Sequence, residues 1–147
     1  MARVSKQVLI RAAARARKLA VAPYSKFKVG AALLTRTGEI ITGANVESAS
    51  YGLTCCAERV ALFKAWTGKK RRKSDFTAVA VVAQMRGGAM PCGACRQLLS
   101  EYAPDAAVWV ADSRALGAIK EYHVSSLMPG AFVKLPKTRG GKKSARA

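Results

Sequence analysis

Apolar residues recur with helical spacing over the first twenty positions. Val8, Leu9, Ala12, Ala13, Ala16, Leu19 and Ala20 fall on one side, and most of the arginines fall on the other. Ser5 suits an N-cap and Pro23 stops the run, so a helix is predicted from Ser5 to about Ala20. The period then changes. Lys28–Thr35 and Ile40–Asn45 read as two strands of a hairpin turning through Thr37-Gly38. Val46–Leu53, rich in small polar residues, reads as loop. Cys55–Trp66 returns to a helical pattern through Val60, Ala61, Leu62, Phe63 and Ala65, and Gly68 with the basic run behind it ends the helix. Phe76–Ala83 is continuously apolar with β-branched residues, the signature of a strand buried on both faces. Arg86-Gly87-Gly88 is a loop, and Pro91 precedes a helix predicted through Tyr102. Ala107–Ala111 is a second buried strand and Ala118–His123 a weaker one. The order α-β-β-α-β-α-β-(β), without internal repeat, predicts a mixed sheet with helices on both faces.

Composition narrows the class. The 147 residues suit one domain, half of them are apolar and 23% are charged, which excludes a mainly disordered chain. No apolar run approaches the ~18 residues of a membrane-spanning helix, so no membrane partner is expected. Four cysteines are too few for a small disulfide scaffold, and the N-terminus lacks the apolar core of a secretory signal. A soluble, cytoplasmic protein with reduced thiols is expected.

Charge changes the picture in one respect. There are 26 Lys and Arg against 8 Asp and Glu, a net +18. The first 36 residues hold nine cations and no acid, Lys69–Lys73 adds five in a row, and the stretch from Lys134 adds six more. The chain is therefore expected to divide into one folded domain over residues 1–133 and a basic, disordered tail over 134–147, which has almost nothing to bury. Such charge predicts non-specific adhesion to polyanions, through the tail above all. No aromatic residues interleave with the cations, so no stacking platform for single strands is visible.

The candidate chemistry lies in two short segments, Thr54-Cys-Cys-Ala-Glu-Arg59 and Pro91-Cys-Gly-Ala-Cys-Arg-Gln97. Cys92 and Cys95 share one face of a helix start, where unpaired N–H groups and the helix dipole favour thiolates. A redox C-x-x-C would use only these two and leave Cys55 and Cys56 unexplained. A structural zinc site would use all four. Cys55 and Cys56, if adjacent on a helix, lie about 100° apart around its axis and would not both face one metal. One of them with Cys92 and Cys95 gives three thiolates and an open fourth position, the pattern of a catalytic zinc. Glu58, two residues beyond Cys56, can then approach the open side without binding, where a proton shuttle must stand. Redox, structural-zinc and plain buried-cysteine readings remain alternatives on spacing alone. The sole histidine, His123, is expected to be a partly buried strand residue and is not assigned to a metal.

The chain resembles the small homotetrameric zinc-dependent cytidine deaminases in Tyr24–Leu33 (YSKFKVGAAL), Gly43–Thr54 (GANVESASYGLT), Cys56–Arg59 (CAER), Pro91–Gln97 (PCGACRQ) and Pro129–Phe132 (PGAF). These segments occur in order, in a likeness running from about Ser5 to Phe132. The resemblance implies a three-layer α/β/α sandwich around a mixed five-stranded sheet. It implies one zinc per chain held by Cys56, Cys92 and Cys95, with Glu58 as the catalytic proton carrier. Asn45 and Glu47 resemble the pair that grips the ribose, and Phe27 the ring that packs on the pyrimidine. Ala57, with Cys92 and Glu58, matches the base-reading side. Tyr51 and Phe132 match residues that complete a neighbouring subunit's pocket, so a homotetramer with shared sites is implied. Arg59 matches the arginine that hydrogen-bonds ligand sulfur and offsets the excess negative charge of three thiolates.

The expected reaction is deamination of cytidine and 2′-deoxycytidine to uridine and deoxyuridine, for pyrimidine salvage. The competing functions are a nucleic-acid-binding or polynucleotide-editing cytosine deaminase, which the charge favours, and deamination of a nucleoside antibiotic. Departures from the family pattern are Cys55, where an aliphatic residue is usual, Ala44 for cysteine, Ser48 for asparagine, and the basic extension.

Overall fold

A computed structural model describes residues 4–135. Five strands form one sheet: β1 (Val29–Thr35), β2 (Ile40–Ala44), β3 (Phe76–Ala83), β4 (Ala107–Asp112) and β5 (Lys120–His123). Their spatial order is β2-β1-β3-β4-β5, with only the β3–β4 pair parallel. The sheet is therefore mixed and five-stranded, as expected. Helix α1 (Lys6–Arg17) covers one face, and α2 (Ala57–Gly68) and α3 (Gly93–Tyr102) cover the other, with a short turn α4 (Val124–Leu127) after β5. Residues 136–147, most of the predicted tail, lie outside the described residues.

The central strands are apolar because both their faces are covered. Ala31, Leu33, Val79, Val81, Val108 and Val110 point into the layer of α2 and α3. Their neighbours Ala32, Leu34, Ala78, Ala80, Val82 and Trp109 point to α1. This period-two alternation inside an apolar run is what a sheet sandwiched between helices requires. Two glycines set how closely the helices sit. A Cβ on Gly30 would lie 2.0 Å from the Ala13 carbonyl oxygen of α1. One on Gly43 would lie 2.4 Å from the Ala61 amide and 2.6 Å from the Ala57 carbonyl oxygen of α2. Only glycine permits these backbone-on-backbone contacts, and the second fixes the start of α2 against the end of β2.

The element bounds differ from expectation in instructive places. Helix α1 begins as predicted, with Ser5 Oγ accepting from the Val8 amide at 3.3 Å, but it stops at Arg17 rather than near Ala20. The amides of Lys18, Leu19 and Ala20 bond three residues back, tightening the last turn so that Val21 can pair with Val46. Helix α2 begins at Ala57, not Cys55, because the Cys55 backbone pairs with Val46 on both its amide and its carbonyl. The loop 46–53 ends in a single 3-10 turn, Tyr51–Leu53. His123 is exposed, not partly buried, because β5 is an edge strand that pairs only with β4 among the described residues.

Register decides where chemistry can gather. Gly30 pairs with Ala44 and Val29 with Ala83, so the start of β1, the end of β2 and the end of β3 share one edge of the sheet. Loops leaving that edge carry Phe27, Asn45 to Cys56, and Cys92.

Candidate active site

Cys56 is the N-cap of α2 and Cys92 the N-cap of α3, with Cys95 one turn into α3. Neither N-cap sulfur bonds its own helix, so both are free to turn toward each other. The three sulfurs lie within 4.8 Å of one another, and Cys56 Sγ is 3.8 Å from Cys92 Sγ. Tetrahedral zinc with Zn–S bonds of ~2.3 Å needs sulfurs about 3.8 Å apart, so the donor set fits that ion in element, number and spacing. Two helix N-termini converge on the cluster, and their dipoles stabilise the thiolate forms. Cys95 is buried, Cys56 half-buried and Cys92 exposed, so the cluster opens toward solvent on the Cys92 side.

Cys55 stands apart from the cluster. The expectation that one of the adjacent cysteines is excluded is met, but the reason differs. Neither is inside a helix; Cys55 is in extended backbone and Cys56 is the cap, so successive side chains diverge as they do along a strand. Burial raises the Cys55 pKa.

The protons of the cluster are unevenly held. The Cys95 thiol donates to Cys56, which lowers the Cys56 pKa to about 5, with further help from Arg59 and Cys92. The same contact, together with burial, raises the pKa of Cys95. Glu58 lies on the first turn of α2 with only 5% of its surface exposed. Burial pushes its carboxyl up to about 7, although its own backbone N–H pulls the other way. A buried carboxylate beside the sulfurs and outside the ligand set is suited to moving protons.

Arg59 Nη2 donates to the Thr54 carbonyl at 2.7 Å and reaches Cys56 Sγ at 3.8 Å. Its Nε is buried without a protein partner among the described residues. The guanidinium is therefore anchored through Nη2 beside the Cys56 sulfur.

Beside this centre lies a cleft of about 420 Å³ lined by Tyr24, Ser25, Glu47, Ser48, Tyr51 and Thr54. Asn45 and Glu47 follow the end of β2, and both reach the segment 24–29. Asn45 Oδ1 accepts from the Val29 amide at 2.8 Å and Nδ2 donates to the Phe27 carbonyl at 2.9 Å. Glu47 Oε2 accepts from the Tyr24 and Ser25 amides at 2.9 and 3.1 Å, and Ser25 Oγ donates to Oε1. Glu47 is held below the usual carboxylate range, chiefly by the Ser25 hydroxyl. Phe27 is 39% exposed, and Ala57 is buried beside Glu58 at the helix start. Tyr51 and Phe132 are 79% and 64% exposed, large apolar surface for residues on a folded domain. The Phe132 carbonyl is held by Gln97 Nε2 of α3 at 2.6 Å.

Sequence reasoning overlooked Ser25 and Thr54. Each acts through a partner distant along the chain or through its backbone, so no local spacing announces it.

Known proteins agree with this geometry. The sequence model for the cytidine and deoxycytidylate deaminase zinc-binding region matches residues 3–111. A cytidine deaminase of Halalkalibacterium halodurans is 51% identical over 88% of this chain and 95% of that protein. One from Sporosarcina psychrophila is 46% identical over 86% of this chain and 90% of that protein. The crystal structure of cytidine deaminase from Burkholderia pseudomallei superposes with a TM-score of 0.83 at 45% identity, covering 88% of this chain and all of that one. Three cysteine sulfurs spaced for zinc, a buried free glutamate between two helix starts, and this likeness in sequence and fold together place the chain in the zinc-dependent cytidine deaminase family.

Proposed function

We propose that the protein hydrolyses the exocyclic amine of cytidine and 2′-deoxycytidine, releasing ammonia and leaving uridine or deoxyuridine. The observation that carries this reading is the buried, unligated Glu58 beside the Cys56–Cys92–Cys95 cluster. Cys56, Cys92 and Cys95 would hold the zinc, which would act as a Lewis acid and bring the ionisation of water into the neutral range. Glu58 accepts a proton from the attacking water and delivers it to ring N3, which makes C4 electrophilic. It then carries the water's second proton to the departing amine. One water is consumed, one ammonia leaves, and Glu58 ends as it began. Its burial keeps competing solvent from the proton path.

The remaining residues bind and orient. Glu47 accepts from a sugar hydroxyl, and Asn45 offers its second N–H and second lone pair to the same sugar. Phe27 packs on the pyrimidine. Ala57, Cys92 and Glu58 read the base edge, the first two through backbone groups. Arg59 spreads the charge of the thiolates. A carboxylate placed for a hydroxyl suits a free nucleoside, since a phosphodiester at that position would bring a second negative charge.

The exposure of Tyr51 and Phe132 supports a homotetramer in which each subunit completes a neighbour's pocket. Among the described residues no helix is long and apolar enough to cross a membrane, which is consistent with pyrimidine salvage in the cytoplasm. The +18 charge supports loose, salt-sensitive adhesion to polyanions.

The test is direct. Purified protein should lower the ultraviolet absorbance of cytidine, carry one zinc per chain and run at the native mass of a tetramer. It should leave a cytosine-containing oligonucleotide unchanged. Base conversion in the oligonucleotide with no turnover of cytidine would overturn the reading.

A further inference from the structure

We propose that Ser25 is a positioning residue for Glu47, and that through Glu47 it sets how strongly the site demands a 3′-hydroxyl on its nucleoside. The proposal rests on the reading of Glu47 as the sugar-hydroxyl acceptor.

Both oxygens of Glu47 are held from one short segment. The amides of Tyr24 and Ser25 donate to Oε2, and the Ser25 hydroxyl donates to Oε1. The same hydroxyl accepts from the Phe27 amide at 3.0 Å. A serine hydroxyl has one proton to give, and here it is spent on the acid while a lone pair takes the amide two residues on. The Phe27 amide therefore orients the hydroxyl, with its proton aimed at the carboxylate that faces the sugar. Three donors on a carboxylate leave about one lone pair free, on Oε1, so the direction from which a substrate hydroxyl can approach is fixed in advance.

The backbone of this segment is bent to make the arrangement possible. Lys26, between Ser25 and Phe27, has φ of 61°, and no other non-glycine residue among those described has a positive φ. A lysine in the left-handed region is strained and persists only where surrounding bonds hold it. Those bonds are present: the Lys26 amide donates to the Ala22 carbonyl, Lys26 Nζ to the Pro23 carbonyl, and Asn45 brackets Phe27 and Val29. Strain here serves to turn the Ser25 hydroxyl and the Phe27 amide toward each other and toward Glu47.

Steady-state kinetics on cytidine and on 3′-deoxycytidine test the proposal, using the zinc-loaded wild type, Ser25→Ala, Ser25→Thr, Glu47→Gln and the double variant Ser25→Ala/Glu47→Gln. Ser25→Ala should raise KM for cytidine about tenfold, the loss of one charge-assisted hydrogen bond, with kcat within about twofold. It should leave KM for 3′-deoxycytidine unchanged. Ser25→Thr, which keeps the hydroxyl, should recover most of the loss, and Ser25→Ala should add nothing once Glu47 is glutamine. A Ser25→Ala defect of equal size on both nucleosides would assign Ser25 a purely structural role and overturn the proposal. If Glu47→Gln discriminates between the nucleosides and Ser25→Ala does not, the proposal fails while the sugar reading stands. If Glu47→Gln itself treats both nucleosides alike, the sugar reading fails and takes the proposal with it.

Discussion

The cysteine cluster with Glu58 and the face proposed to bind the sugar are built on opposite principles. Cys56, Glu58, Arg59, Cys92 and Cys95 sit at or within the first turn of two helices, and Glu58 and Cys95 are buried within a single chain. Phe27, Glu47, Tyr51 and Phe132 sit on loops, and Tyr51 and Phe132 offer most of their surface to solvent. Chemistry that moves protons needs groups fixed to within fractions of an ångström, and helix starts wedged on a sheet supply that. A binding face must admit substrate and release product, so it is made of loops whose geometry is clamped by side chains. Changes on the metal side should therefore remove turnover and spare binding, whereas changes on the sugar side should do the reverse.

The sharpest version of that contrast is Glu58→Gln. With the shuttle gone and the sulfurs intact, kcat should fall by at least about 10³-fold while zinc content and cytidine affinity persist. Single-turnover assays with metal analysis check it, and retention of more than a tenth of wild-type kcat would remove Glu58 from the proton path. The same variant reports on pH. Burial raises the Glu58 pKa from 4.5 to about 7, so the metal-free fold is favoured when this group is protonated. Its contribution is complete below pH 4.5 and disappears as pH climbs through 7. Glutamine stays neutral, so metal-free Glu58→Gln should gain stability over metal-free wild type as pH rises from 4.5 to 8. Thermal melts after chelation would show the two curves diverging.

Gly43→Ala breaks the contrast by acting on the support. Its new methyl would sit 2.4 Å from the Ala61 amide and 2.6 Å from the Ala57 carbonyl oxygen, both backbone atoms of α2. The helix must lift, which costs about 1–3 kcal/mol and moves Cys56 and Glu58 relative to Cys92 and Cys95. A shift of that kind should lower kcat about 10²-fold with weakened zinc retention. Urea titration and zinc analysis read both effects from one preparation.

Phe132→Ala tests the open side. If this residue completes a neighbour's pocket, KM for cytidine should rise about tenfold with kcat nearly preserved, and the native mass should shift toward smaller species. Unchanged KM and mass would leave Phe132 a plain surface residue.

How much of this was legible in advance depends on whether the controlling contact is local. The strands declared themselves because a sheet covered on both faces has to be apolar throughout, as Phe76–Ala83 and Ala107–Asp112 are. Cys92 and Cys95 were legible because one helical turn puts them together. The start of α2 was not, since Cys55 is taken out of the helix by Val46, nine residues earlier in the chain. Ser25 is 22 residues from Glu47, and the left-handed turn at Lys26 has no glycine to announce it. In each case the missing information is a tertiary partner.

Arg59→Ala is expected to have a smaller effect. The guanidinium reaches Cys56 Sγ at 3.8 Å and keeps a buried Nε without a protein partner. Removing it leaves the three thiolates less compensated, so zinc should stay bound while kcat falls about 3- to 30-fold, with KM nearly constant. Wild-type kcat in this variant would end its role in tuning the metal. Changes on the metal side would then split into loss of the proton carrier and loss of charge balance, two effects that differ in size and share a sign.

The smallest effect is expected from deleting residues 137–147. The cations of the described domain are partly spent internally: Lys69 and Arg71 both pair with Glu39, and Arg72 pairs with Asp75. Residues 137–147 contain Lys137, Arg139, Lys142, Lys143 and Arg146 and no acid to offset them. They are also separated from Phe132, the last residue given a part in the site, by four positions. Deletion should therefore leave kcat and KM for cytidine within twofold and reduce retention on heparin, with elution moving to lower salt. A large fall in turnover would mean that the tail reaches the sugar side of a site, and that side would then be completed by a charged segment as well as by Tyr51 and Phe132.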